Sequence, residues 1–156
     1  MKRRAVNFDR LARIYRGLEF VAFGRDLERA RFEFLARVAA ARSILILGEG
    51  DGRCLARLVA AAPRARIHCV DSSPAMLARA AARLDNPADR QRVTFECADV
   101  LKLDFPRAAF DAAITFFFLD CFAADVAAEV VRKIADALEA KCVIEFASDI
   151  RFKSGQ

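Results

Sequence analysis

The sequence predicts an α/β protein: a doubly wound, mostly parallel sheet of about five strands with helices on both faces, preceded by two N-terminal helices. Three observations carry that expectation. Short apolar runs at 44–47, 67–70, 93–97, 110–117 and 142–146 alternate with segments of helical spacing. The first run has no polar face, as a central parallel strand covered on both sides requires. It ends in Gly48-Glu49-Gly50-Asp51-Gly52, with glycines at alternate positions where a strand would turn into a helix.

The elements follow in order. Phe8, Leu11, Ala12, Tyr15, Leu18 and Glu19 recur at i, i+3, i+4, i+7, which predicts a first helix interleaved with arginines. Gly24 breaks it, and Leu27, Ala30, Phe34, Leu35 and Val38 continue a second helical stripe toward Ala41. Ser43 marks the boundary to the first strand. After the glycines, Cys54, Leu55, Leu58 and Val59 predict a helix that stops near Pro63. A second strand at 67–70 ends at Asp71, and Ser72-Ser73-Pro74 reads as a cap followed by proline in the first helical turn. The helix through Met76, Leu77, Ala80 and Leu84 ends before Asn86-Pro87. A third strand at 93–97 leads to Ala98-Asp99, Phe105-Pro106 lies in a loop, and a fourth strand starts at Phe110. Val126, Val130, Val131, Ile134 and Leu138 form the last helical stripe before a fifth strand at 142–146.

The chain of 156 residues fits a single domain with a substantial core: a helical segment 1–42, a ligand-binding core 43–147 and a short tail 148–156. A hydrophobic content of 56% argues against disorder, and no apolar run approaches the roughly 20 residues of a membrane span. The basic start Met1-Lys2-Arg3-Arg4 leads into a polar amphipathic stretch rather than a signal-peptide core, so the expected location is cytoplasmic. Charge is uneven: residues 1–43 carry 11 Lys/Arg against 5 Asp/Glu, while 44–156 carry 15 against 16. Acids interleave with the arginines, so a solvated helix face is preferred to a nucleic-acid surface. The five cysteines are spaced by 15, 28, 24 and 21 residues without a CxxC pair, and His68 is the single histidine. No metal site is therefore expected, the thiols read as free and mostly buried, and His68 reads as a strand residue.

Two ligand classes compete for the glycine turn. A dinucleotide turn wants G-x-G-x-x-G, whereas here the spacing is G-x-G-x-G, one residue tighter. Acids at both intervening positions oppose a pyrophosphate, which a helix N-terminus ordinarily attracts. A ligand with cationic groups suits the loop better. A carboxylate at the end of the second strand, Asp71, is placed to accept two hydroxyl hydrogens at once.

At this point the chain resembles the class I S-adenosylmethionine-dependent methyltransferases, with their Rossmann-like core, over roughly residues 8–147. The 44–52 stretch resembles their first motif. Val70-Asp71-Ser72-Ser73-Pro74-Ala75-Met76-Leu77 resembles the second-strand motif, whose acid holds both ribose hydroxyls; Asp71 follows Gly52 by 19 residues. Cys97-Ala98-Asp99-Val100 resembles the motif after the third strand, whose acid approaches the adenine amine, and Phe110-Asp111-Ala112-Ala113-Ile114-Thr115 the fourth-strand motif lining the transfer site. The strength of the resemblance lies in the ordered set. It implies S-adenosyl-L-methionine as cofactor, held by Gly48, Glu49, Gly50, Gly52, Asp71, Ser72, Met76, Asp99, Val100 and Thr115. Tyr15 as a lid, with Phe116, Phe117 and Asp120, are the candidates for the acceptor pocket.

Two departures stand out. The family often has an acid two positions before the first glycine, where this chain has Ile46; Glu49 is the candidate to replace it near the ligand's ammonium, and Asp51 reads as support for the helix start. Family members also usually continue past the fifth strand with further strands, whereas nine residues remain here, which suggests a truncated form or a partner subunit, such as a second copy, over the fifth-strand edge. The expected function is methyl transfer to a small, apolar acceptor, without an assigned catalytic residue, because the reaction needs alignment more than a base. A non-catalytic cofactor-binding or interaction domain is the alternative, and RNA methylation and hydride transfer rank below both.

Overall fold

The computed structural model describes residues 35–147. Tyr15, the first predicted helix, most of the second and the tail 148–156 lie outside the described residues. The order is α1 (Leu35–Val38), β1 (Ser43–Leu47), α2 (Arg53–Ala61), β2 (Arg66–Asp71), α3 (Pro74–Ala82), α4 (Pro87–Gln91), β3 (Val93–Cys97), β4 (Phe110–Phe116), a 3-10 turn (Leu119–Cys121), α5 (Ala124–Ala137) and β5 (Leu138–Ala147). The strands form one sheet in the order β3-β2-β1-β4-β5, with every pairing parallel. The chain thus passes from β1 outward to β3, then crosses back to place β4 on the other side of β1. That reversal opens a crevice at the carboxyl ends of β1 and β4, the switch point where such sheets take ligands.

The sheet is covered on both faces, as the apolar runs demanded. Ile44 and Ile46 of β1 pack with α1, α2 and α3 through Leu35, Leu55, Leu58 and Leu77. Leu45 and Leu47 point the other way and pack with Val130, Ile134 and Ala137 of α5. Ile46, two positions before the first glycine, is fully buried in the first of these layers.

Several local expectations need correction. α3 stops at Ala82, and Asn86-Pro87, read as a helix end, also starts the short helix α4, with the Asn86 side chain accepting from the Ala88 amide at 3.0 Å. β5 begins at Leu138 rather than Cys142, so Leu138 opens the strand instead of closing α5. A register irregularity between Phe110 and Ala112 accommodates the longer strand. Of the thiols, Cys54 and Cys69 are buried, but Cys97, the last residue of the edge strand β3, and Cys121, in the 3-10 turn after β4, are exposed. His68 does lie in β2, its Nε2 2.7 Å from Glu96 Oε2 on β3. Among the described residues no helix is long and apolar enough to cross a membrane, and no cluster of metal-ligating side chains occurs.

Candidate functional site

The site grows from the loop after β1. Gly48, Gly50 and Gly52 all have positive φ, at 68°, 71° and 85°, in the left-handed region that side chains other than glycine seldom adopt. Their surroundings differ. A Cβ on Gly48 would fall 2.2 Å from the Phe118 ring, and one on Gly52 only 2.4 Å from the Ala80 backbone in α3. A Cβ on Gly50 would meet nothing within 4 Å. The outer glycines therefore serve packing, and the middle one keeps open space at the strand ends.

The acids of the loop are built into it. With Gly52 as a side-chain-free N-cap of α2, Glu49 Oε1 accepts the Leu55 amide at 2.9 Å and satisfies an otherwise orphaned helix donor. Asp51 turns away toward two arginines: Arg83 donates to its carboxylate at 2.9 Å and to its carbonyl at 2.6 Å, and Arg53 Nε lies 3.2 Å from the same carboxylate. This triad ties the loop to the end of α3.

Asp71 ends β2 beside the loop. Its Oδ1 accepts the Ser73 amide at 2.8 Å, and its Oδ2 the Gly50 amide at 3.4 Å. Burial raises its carboxyl above the usual carboxylate range, an effect the Ser73 and Gly50 amides oppose without cancelling. Each carboxylate oxygen keeps a further acceptor position beside its amide. Ser73, not Ser72, caps α3, accepting from the Met76 amide, with Pro74 in the first turn; Ser72 is exposed and Met76 half-buried.

Across the sheet, β4 brings up Thr115, Phe116 and Phe117. Thr115 is 1% exposed and its hydroxyl has no hydrogen-bond partner among the described residues, a buried donor left unsatisfied at a strand's carboxyl end. Phe116 packs against the core, whereas Phe117 takes φ 56°, strained for a residue with a Cβ. The following Phe118 reaches back over Gly48 and stacks edge-on with Phe122, the ring centroids 5.1 Å apart. From the sequence Phe118 counts only as part of the Phe116–Phe118 cluster that would make the acceptor pocket apolar; nothing in the chain signals that it meets a residue seventy positions away. Asp120, half-buried, lies in the 3-10 turn. The Cys69 thiol inside β2 is pushed up by burial, Glu49 and Asp71, and the Cys121 thiol, on a residue exposed overall, in the same direction by partial desolvation, Asp120 and Asp71, so Asp71 is felt both within β2 and in the 3-10 turn.

Asp99 stands after β3 in an exposed turn, where its Oδ1 accepts the Leu101 amide at 3.1 Å and Lys102 lies 3.8 Å from Oδ2; Val100 is buried beneath it. By contrast, Asp111 of the fourth-strand stretch lies at the opposite end of the sheet. Its two oxygens accept the Arg42 and Ser43 amides at 2.8 and 2.9 Å, joining the starts of β1 and β4.

Residues 44–141 match the methyltransferase-domain family model, well over half of the chain. A demethylmenaquinone methyltransferase of Thermus thermophilus is 39% identical over 104 residues, which cover 66% of this chain and 46% of that protein. An S-adenosylmethionine-dependent methyltransferase from Mesorhizobium loti superimposes with TM-score 0.61 at 30% identity, covering 76% of this chain and 52% of the other. The DhpI–SAM–HEP complex superimposes with TM-score 0.73 at 20% identity, covering 98% and 70%, a likeness of fold. The chain spans about half the length, or less, of the curated relatives it matches. With the strand order, the glycine turn and the extent of the family match in agreement, this chain belongs to the class I S-adenosylmethionine-dependent methyltransferases.

Proposed function

We propose that the chain binds S-adenosylmethionine at the carboxyl ends of β1, β2 and β4 and transfers its methyl group to a small, apolar acceptor. The observation that carries this reading is Asp71: a carboxylate hydrogen-bonded across to Gly50, whose Cα faces open space, with acceptor capacity left for two hydroxyls. The orphaned Thr115 hydroxyl is a second feature that a bound ligand would satisfy. Gly48 and Gly52 shape the loop, Glu49 holds the helix start behind it, and Ser72, Met76, Asp99 and Val100 flank the adenosine side in this reading.

S-adenosylmethionine supplies an activated methyl on a sulfonium, so the protein's share is binding, alignment and exclusion of water. In this reading Phe117 and the Phe118–Phe122 pair, with Asp120 in the turn after β4, lie toward the acceptor, and their apolar rings favour an uncharged one. The free thiols among the described residues suit a reducing, cytoplasmic setting. Calorimetry with S-adenosylmethionine, S-adenosylhomocysteine and NAD tests the reading directly. We expect micromolar binding of the S-adenosyl ligands and none of NAD; folded protein that ignores both S-adenosyl ligands would overturn it.

A further inference from the structure

The connection between β3 and β4, residues 98–109, contains no helix or strand, so its shape must be imposed from outside. It begins against the site: the Ala98 amide donates to the Asp71 carbonyl at 3.1 Å. It carries Asp99, whose carboxylate holds the Leu101 amide. Val100 is buried and Leu101, Leu103 and Phe105 lean on the α5-side core. These apolar contacts fix depth but not rotation, since a leucine side chain tolerates many backbone orientations.

Backbone bonds hold the far end of the loop, where Ala108 and Ala109 donate to the Asp136 and Ala137 carbonyls, and the polar hold on its middle comes from a cation on α5. Lys133 Nζ donates to the Leu101 carbonyl at 2.8 Å and the Leu103 carbonyl at 3.0 Å, and Asp104 lies at 3.8 Å. Its side chain is 22% exposed, so these charge-assisted bonds are only partly shared with water. Lys133 stands between Val130 and Ile134, both fully buried, and the ammonium is therefore referenced to the core rather than to the loop it grips. Leu101 is bonded on both sides, through its amide to Asp99 and through its carbonyl to Lys133.

We propose that Lys133 is a positioning residue for the ligand site: acting through Leu101, it sets the orientation of the Asp99 turn and with it the affinity for the S-adenosyl ligand. This rests on the functional reading above. The test compares wild type with Lys133→Met, which keeps the apolar stem, and Lys133→Arg, which keeps a donor. Calorimetry with S-adenosylhomocysteine should show an affinity about ten-fold weaker in Lys133→Met and largely restored in Lys133→Arg. In turnover, KM for S-adenosylmethionine should rise by the same factor with kcat within about two-fold. Because the effect runs through Asp99, adding Lys133→Met to Asp99→Ala should weaken binding by less than two-fold further. Hydrogen exchange should show the Leu101 amide losing protection in Lys133→Met while β1 and β4 keep theirs. Equal ligand affinity in wild type and Lys133→Met, or full additivity with Asp99→Ala, would overturn the inference alone. Wild type that binds no S-adenosyl ligand would instead overturn the functional reading on which it stands.

Discussion

Gly48, Gly50 and Gly52 share a left-handed backbone but answer to different neighbours, and this separates their substitutions. Alanine at any of them carries the left-handed penalty of roughly 1–2 kcal/mol. At Gly52 the new methyl also strikes the α3 backbone, which cannot swing aside, so Gly52→Ala should lose roughly 2–5 kcal/mol in urea denaturation. Gly48→Ala meets a side chain instead, and Phe118→Ala should recover part of its loss in a double-mutant cycle. Gly50→Ala should stay within about 2 kcal/mol of wild type, yet weaken S-adenosylhomocysteine binding at least ten-fold, since its methyl enters the open space. Asp71 shows the opposite trade between fold and ligand. Burial raises its carboxyl pKa in the folded chain, so its contribution to stability is present at acid pH and is lost as pH rises through the raised value. At neutral pH the ionised side chain burdens the unliganded fold. Asp71→Asn should then melt no lower than wild type, while binding S-adenosylhomocysteine about 10- to 100-fold more weakly. The wild-type affinity should fall on acidification at a higher pH than a solvated aspartate would dictate, and Asp71→Asn should lose that pH dependence. Calorimetry across pH 4–8 on both proteins measures it.

At the scale of elements, the end of α2 depends on a residue outside it. Arg92, following α4, donates from Nη1 to the Ala62 and Ala65 carbonyls, both at 3.0 Å, and from Nη2 to the Val59 carbonyl, while Asp89 accepts from its Nε at 3.0 Å. One planar guanidinium thus closes a helix C-terminus, where cations are favoured, and fastens α4 to it. Arg92→Met should cost about 3 kcal/mol in chemical denaturation, since it removes the guanidinium from the Val59 and Ala65 carbonyls and the Asp89 carboxylate and leaves the Ala62 carbonyl only the Ala65 amide; Arg92→Lys, with a point charge in place of the fork, should recover less than half. Such links also explain what could be read from the chain beforehand. The strands were legible because burial on both faces leaves unbroken apolar runs, and the turn because only glycine tolerates its backbone. Asp71 was legible because a strand's end is a fixed place. α4 was legible in principle: Asn86-Pro87 repeats, thirteen residues on, the cap-and-proline signal of Ser73-Pro74. Glu49 capping α2, Phe118 over Gly48, Arg92 at α2 and Lys133 on the β3–β4 loop were not legible. Each depends on a three-dimensional approach that no local period encodes, and in three of the four the partners are some thirty to seventy residues apart.

For the molecule as a whole, the charge at the site and the charge of the chain have opposite signs. The sequence carries a formal +5, but its surplus lies in residues 1–43, where 11 Lys/Arg face 5 Asp/Glu. At the carboxyl ends of the strands the described side chains include Glu49, Asp71, Asp99 and Asp120, and the cations nearest the loop, Arg53 and Arg83, are engaged by Asp51. S-adenosylmethionine differs from S-adenosylhomocysteine by one methyl and one positive charge, so the pair reports the sign of the field a ligand experiences. The Debye length is about 8 Å at physiological ionic strength, so distant arginines are screened while carboxylates beside the ligand are screened less. If the local acids govern, raising salt from 50 to 500 mM weakens S-adenosylmethionine binding by roughly two- to five-fold, a fraction of the ~1 kcal/mol of a solvated contact pair. S-adenosylhomocysteine should change by less, and the ratio of the two affinities should shrink toward high salt. If the chain's overall positive charge governed instead, the cationic ligand would be repelled at low salt and its affinity would rise as salt is added. Calorimetric titration of both ligands at the two salt concentrations decides between the signs, and Asp120→Asn should flatten the dependence if the local field is its source.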